Sequence, residues 1–277
     1  MVTRKATKDR VDVCTHFGLH HLPFTREIAI ADCWHHPQYD GLVDELHELV
    51  EHRLSAAVIA PAGAGKTVVL RALREALPEA RYRTHYMKVT DLSKRDFCRE
   101  IATALGAKAS GYYGALVRNI QDRCEALMEQ ESRRPVLLID ECHDARPSVI
   151  AVLRVIANFE MDSRLVVSLV LAGQSPLRTA LRRDTLEDVA RRLALIGTLR
   201  LLSREETRDY LEHRLRLVGA SAELFDHHAI EAVYEATQGN LRAIDSLALR
   251  SLQLAAAAGD SVVDARQVTN ARAQVWP

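Results

Sequence analysis

Ala56-Ala57-Val58-Ile59-Ala60-Pro61-Ala62-Gly63-Ala64-Gly65-Lys66-Thr67-Val68 decides the fold. A short apolar run, suited to a strand buried on both faces, passes into a glycine loop and then into a helix-forming stretch that stops at Pro78. Gly63 and Gly65 let backbone N–H groups curl around an anion, and a helix starting near Lys66 aims the positive end of its dipole there. Lys66 then reaches β and γ phosphates, and the Thr67 hydroxyl sits on Mg²⁺. Pro61, Ala62, Gly63, Ala64, Gly65, Lys66, Thr67 and Val68 are thus the expected phosphate cradle, with ATP and Mg²⁺ as cofactors. Ala60 stands where the motif has its first glycine, a position that turns the chain more than it touches phosphate. A plain glycine turn is the competing reading, and it leaves the order of strand, glycines, Lys-Thr and helix without a cause.

Outward from this loop, further strands are expected at 82–89, 136–139, 165–172 and 196–201. Helical periodicity fills the intervals at 41–54, 93–105, 115–130 and 148–159, the last entered through Pro147. Strands alternating with helices predict an α/β fold, a five-stranded parallel sheet flanked by helices. After Leu202 strand signals stop. Ser203-Arg204-Glu205-Glu206 is a capping box, and helices are expected to about Val218 and at 229–236, 242–258 and 265–273, a small C-terminal all-α lid. The expected division is a basic flexible arm at 1–15 carrying Arg4, Lys5, Lys8 and Arg10, an α/β body at 16–202 and the lid at 203–277.

Lysine plus arginine number 37 and aspartate plus glutamate 37, so a globally basic nucleic-acid binder is excluded and any DNA contact needs a local patch. No signal peptide or membrane-length apolar run is read, which implies a cytoplasmic protein without a membrane contact. Five scattered cysteines without CxxC spacing suit free thiols in a reducing compartment. Two histidine-cysteine groups, Cys14 with His16, His20 and His21, and Cys33 with His35 and His36, lack the ligand spacing of a zinc site.

Val136-Leu-Leu-Ile-Asp140-Glu141 is a buried strand that delivers two carboxylates at the edge where open α/β sheets bind ligands. Asp140 is expected to hold Mg²⁺ in its outer shell and Glu141 to polarise the water that attacks the γ-phosphate. Gln174, after the next strand, senses the γ-phosphate if that strand lies between the two motif strands; otherwise it is a polar loop residue. Arg242, at the start of a lid helix, is expected to contact phosphate from its own subunit.

The chain resembles the ExeA-like AAA+ ATPases and the related transposition helper ATPases TniB, TnsC and IstB. The likeness rests on His16-Phe-Gly-Leu-His-His-Leu-Pro-Phe24, the phosphate loop, Leu138-Ile-Asp-Glu141, Leu171-Ala-Gly-Gln174 and Gly239-Asn-Leu-Arg242. It implies a P-loop NTPase fold of the AAA+ class, with 16–54 as an adenine-side segment and Phe24 near the base. It also implies a slow, assembly-stimulated, Mg²⁺-dependent ATPase that forms a homo-oligomer, either ring or helical filament. Arg192, with Arg191 next to it, stands where such proteins carry an arginine that reaches a neighbour's γ-phosphate. Lys88, Thr90, Lys94 and Arg95 are the candidate DNA contacts, diluted by Asp91, Asp96 and Glu100, so a solvated helix face is the alternative. The function implied is binding of double-stranded DNA without sequence preference and recruitment of a transposase to its target. An ExeA-like secretion or envelope ATPase acting on a protein machine, and a rarely hydrolysing signalling switch, are the rivals.

Overall fold

A computed structural model describes residues 12–89, 91–220 and 222–275. The expected basic arm, apart from its last few residues, and Thr90 lie outside the described residues. In chain order the main elements are α1 (Val13–Phe17), α2 (Pro37–Glu51), β1 (Ser55–Ile59), α3 (Lys66–Ala76), β2 (Tyr82–Lys88), α4 (Lys94–Leu105), α5 (Tyr113–Glu129) and β3 (Arg134–Asp140). There follow α6 (Pro147–Ile150), α7 (Val152–Ile156), β4 (Ser168–Gly173), α8 (Ser175–Leu181), α9 (Glu187–Ala190) and β5 (Leu193–Thr198). Last come α10 (Arg204–Arg216), α11 (His227–Thr237), α12 (Leu241–Ala258) and α13 (Ala265–Val275). Two compact units result: His35–Arg200 forms one, and the stretches up to Trp34 and from Leu201 form the other.

The first unit is built on a parallel sheet in the order β2-β3-β4-β1-β5. Every residue of β1 and β4 is buried, the signature of strands covered on both faces. Leu137, Ile139 and Leu171 of the sheet share a core with Phe97, Ile101 and Ile120 of α4 and α5. Leu42, Leu46 and Val50 of α2, and Val69, Leu70 and Leu73 of α3, recur at three and four residues, so each helix buries one stripe. α4 is capped at both ends: the Ser93 hydroxyl accepts from the Asp96 N–H at 3.1 Å, and Gly106 (φ +74°) closes the helix.

Four segments differ from the expectation, the first being α2, which runs Pro37–Glu51 rather than 41–54. The helix expected at 148–159 breaks at Ala151 into α6 and α7 and ends at Ile156. Beyond it Glu160, Met161 and Asp162 all take left-handed backbone angles, which helical periodicity cannot foresee. β4 begins at Ser168 rather than Leu165, because β3 pairs with it only from Val136↔Ser168 onward. β5 runs 193–198 rather than 196–201, its register fixed by the short β1, and pairing ends where Leu199 N–H meets the Ile59 carbonyl at 3.1 Å.

In the second unit Ser203 and Glu206 form the expected reciprocal cap of α10, at 3.2 and 2.7 Å. Gly239 sits at φ +75°, and a Cβ there would lie 2.0 Å from the Leu202 carbonyl oxygen, so only glycine fits between α11 and α12. Residues 16–34 belong with these helices rather than with the α/β body expected from the sequence. The His20 N–H donates to the Val218 carbonyl at 2.9 Å, Phe24 meets Phe225 edge to face at 6.2 Å, and Trp34 meets Tyr210 likewise at 5.8 Å. The reason is a buried charge. Arg214 (α10) donates to Asp245 (α12) at 3.1 and 3.2 Å, to the Tyr210 hydroxyl at 2.7 Å and to the Thr25 carbonyl at 2.8 Å, with its guanidinium over the Phe24 ring. Burial raises the Asp245 carboxyl to about 6, opposed by Arg214. No described helix is long and apolar enough to cross a membrane.

Asp245→Ala removes one partner of a buried pair and leaves the guanidinium without its carboxylate, so a loss of about 3 kcal/mol is expected in chemical denaturation of the helical unit. Wild-type stability in that variant would show that Tyr210 and the Thr25 carbonyl satisfy Arg214 alone.

Candidate functional site

The C-terminal ends of β1, β3 and β4 adjoin because β4 lies between the other two, and ligands of open α/β sheets bind at such an edge. β1 delivers the loop 60–65. Gly63 (φ +73°) and Gly65 (φ +97°) take angles that a side chain disfavours, and Gly65 precedes α3, whose first residue is Lys66. The Ala60 N–H donates to the Gly173 carbonyl at 3.0 Å, and the Tyr39 hydroxyl donates to the Ala64 carbonyl at 3.3 Å, so the loop is tied to β4 and α2. Lys66 is 6% exposed, and its ammonium donates to the Ala60 and Pro61 carbonyls at 3.1 and 3.0 Å. A curled backbone, a helix N-terminus and a buried cation together have the chemistry that suits a polyphosphate.

Asp140, the last residue of β3, is fully buried. Its Oδ2 accepts from the Thr67 hydroxyl at 3.2 Å and the Tyr86 hydroxyl at 3.0 Å, and its Oδ1 accepts from the Glu141 N–H at 2.8 Å. Thr67 and Asp140, read separately from sequence as the magnesium-side pair, are thus brought into contact. Oxygen donors of this kind fit a magnesium ion, which keeps most of its waters and takes one or two carboxylates. Burial and the Asp140 charge push the Tyr86 hydroxyl well above its ordinary range, which keeps its proton on and its donor role fixed.

Glu141 follows in a left-handed conformation (φ +57°, ψ +30°), a strain that turns the chain out of the strand into the short turn Cys142–Asp144. That turn carries His143. Its Nδ1 lies 3.4 Å from Glu141 Oε2, and its Nε2 lies 2.5 Å from the side-chain nitrogen of Gln174. Gln174 stands at the end of β4, so the condition that its strand lie between the motif strands is met.

Other sequence candidates fall elsewhere. Arg192 is 25% exposed at its side chain and makes a two-pronged pair with Asp162. Arg191 is 74% exposed and pairs with Glu187 at 2.5 Å, one helical turn back. Lys88 and Lys94 are exposed and hold no ion pair among the described residues, and Arg95 donates to the Gly111 carbonyl at 3.1 Å. Phe24 is buried within the helical unit, and Arg242 is exposed in the first turn of α12, where Asn240 caps the helix at 3.1 Å. Neither N-terminal histidine-cysteine group assembles: His16 bonds the Asp260 carbonyl at 2.8 Å and His35 meets Asp40 at 3.3 Å. All five cysteines are free thiols.

Sequence reasoning missed Tyr86 and His143. Tyr86 carries no motif; only the parallel register that sets Lys88 beside Asp140 brings a hydroxyl from β2 within reach. His143 had a signal in its place three residues after Asp140, at the mouth of the same edge.

Residues 47–181 match the family model described as AAA domain. Over 199 residues the chain is 29% identical to general secretion pathway protein A of Aeromonas hydrophila, which covers 71% of this chain and 36% of that protein. The chain therefore spans about a third of that relative's length. Cdc6p from Pyrobaculum aerophilum superposes with a TM-score of 0.72 at 16% identity, over 91% of this chain and 70% of that one. The ORC1 protein of Aeropyrum pernix, solved in complex with DNA, gives 0.66 at 17% identity, over 90% and 68%. At these identities the fold is what is shared: an AAA+ P-loop NTPase fold with a five-stranded parallel sheet, flanking helices and C-terminal helices.

Tyr86→Phe removes one of three donors to a buried carboxylate. A stability loss of about 1–2 kcal/mol is expected from the denaturation midpoint, and an unchanged midpoint would mean that Thr67 and the backbone suffice.

Proposed function

We propose that this chain is an ATP-dependent, DNA-binding AAA+ ATPase that oligomerises on duplex DNA in the cytoplasm and recruits or activates a transposase. The observation that carries the nucleotide part is the Thr67–Asp140 contact at 3.2 Å beside a buried Lys66. Two motifs 73 residues apart meet at one sheet edge. In this reading the backbone of 61–68 and the Lys66 ammonium hold the phosphates. Thr67 and Asp140 hold the magnesium, whose charge, when it is bound, neutralises the phosphate oxygens. Glu141 accepts a proton from the attacking water, Gln174 lies against the terminal phosphate, and Arg192 or Arg191 reaches a neighbouring copy.

The DNA part rests on Lys88, Lys94 and Arg95 at the C-terminal end of β2 and the start of α4, with Thr90 between them in sequence. Of the three acidic residues that dilute this stretch, Asp91 and Asp96 are engaged, while Glu100 is exposed and holds no ion pair among the described residues. Arg146 holds Asp91 at 2.9 and 2.6 Å, and Ser93 and Arg99 hold Asp96 at 2.6 and 3.0 Å. Free ammonium groups near neutralised carboxylates suit phosphate contacts without base reading. The 29% identity to general secretion pathway protein A favours a second reading, an envelope-associated ATPase whose partner is a protein machine.

The first experiment tests the ATPase that both readings share, and the second separates them. Lys66→Ala is expected to abolish Mg-ATP binding in calorimetry, whereas Glu141→Gln keeps binding and loses turnover by about 10²–10⁴-fold, the worth of a general base; full turnover in Glu141→Gln would remove that residue from its role. A slowly hydrolysed ATP analogue should raise affinity for duplex DNA of any sequence. The log–log salt slope should fall by about 2 in Lys88→Ala/Lys94→Ala, nearly one for each phosphate left without its lysine. DNA affinity indifferent to nucleotide at every salt concentration would leave the second reading standing.

A further inference from the structure

We propose that His143 is a positioning residue that couples Gln174 to Glu141, so that contact of Gln174 with a terminal phosphate is passed on to the carboxylate. The inference rests on the nucleotide reading above and names a part which that reading does not use. The His143 side chain is 9% exposed. One ring nitrogen faces each partner, Nε2 toward the Gln174 side-chain nitrogen at 2.5 Å and Nδ1 toward Glu141 Oε2 at 3.4 Å. Nδ1 is enclosed and makes no aligned hydrogen bond, so Glu141 is near but not yet engaged.

The neighbours select the tautomer. An amide –NH₂ donates and cannot accept, so Nε2 presents its lone pair to Gln174 and the ring proton sits on Nδ1, toward the carboxylate. The opposite tautomer would set a lone pair against Glu141 and an N–H against an N–H. Asp144 Oδ1, at 3.7 Å from Nε2, is outside hydrogen-bond range and does not compete.

The scaffold keeps these groups together. The Cys142–Asp144 turn packs on α8, whose N-cap is Gln174, and the buried Cys142 thiol donates to the Ile139 carbonyl at 3.1 Å. Gly173 has no Cβ, and one placed there would come within 3.3 Å of the His143 backbone nitrogen and 2.8 Å of Leu177 Cδ2. The turn and the end of β4 therefore touch as backbones. A phosphate oxygen is a stronger acceptor than an imidazole nitrogen, so Gln174 gives its N–H to phosphate when one is present. The ring, released at Nε2, then turns to complete its Nδ1–H bond to Glu141. ADP has no terminal phosphate to draw Gln174 away.

The test is the ratio of ADP to ATPγS dissociation constants with magnesium, by calorimetry, together with single-turnover ATP hydrolysis. His143→Ala and Gln174→Ala should each lower the preference for ATPγS about tenfold, the worth of a hydrogen bond to a charged group. The double variant should fall no further, because one path is already broken. His143→Gln keeps an amide at the Nε2 position but offers Glu141 nothing, so it should lose both the preference and turnover. His143→Asn keeps an amide at the Nδ1 position, holds Glu141 whichever nucleotide is bound, and should lose the preference but keep turnover. ADP affinity in each variant reports an intact fold, and the two amide variants decide the matter if His143→Ala does not fold. An unchanged ratio in His143→Ala, or losses that multiply in the double variant, overturns the coupling alone. Wild-type protein that binds neither nucleotide overturns the ATPase reading itself.

Discussion

A carboxylate with no access to water must be given donors, and Asp140 is where this chain meets that demand. Moving a bare carboxylate from water into the interior costs several kcal/mol, more than any one hydrogen bond returns. Three donors answer it, from α3 (Thr67), β2 (Tyr86) and the Glu141 backbone. No two of them are close in sequence. The strand order β2-β3-β4-β1 is what gathers them, since β3 must lie beside β2 and one strand from β1 for the phosphate loop and Tyr86 to reach the same oxygen. The buried charge thus enforces the topology while the topology assembles the site.

Much of this could be read from sequence where the signal was local. The glycines of the loop, Lys66, the run ending in Asp140-Glu141 and the capping box at Ser203 each state their conformation within a few residues, so their elements appear where expected. What depends on pairing did not appear in the same way. Strand ends at β4 and β5 moved because a partner strand decides where a ladder stops. Tyr86 and His143 stayed hidden because their roles exist only across a strand register and a turn. The left-handed run at 160–162 contains no glycine and gave no warning.

The placement of residues 16–34 shows the same limit at the scale of a domain. Their apolar positions, Leu19 and Phe24, announce burial but not against what. The choice falls to Arg214, which buries its guanidinium in α10 and needs more acceptors than Asp245 supplies. The Thr25 carbonyl and the Phe24 ring complete its environment. A charged residue inside the helical unit, rather than hydrophobic periodicity, therefore binds the N-terminal segment to C-terminal helices nearly two hundred residues later.

The same reasoning bears on the two adjacent arginines. Arg192 suits a trans contact by its place before β5, yet its fork is already spent on Asp162, in a segment held at unfavourable backbone angles. Arg191 gives up little: an exposed pair one helical turn apart is worth only about 0.3–0.5 kcal/mol. Availability favours Arg191, and geometry preformed by a carboxylate favours Arg192, because a fork aligned on two carboxylate oxygens is also aligned for two phosphate oxygens. The Arg192–Asp162 pair is therefore compatible with a trans role, and in that role it makes the residue wait for an anion better than its own.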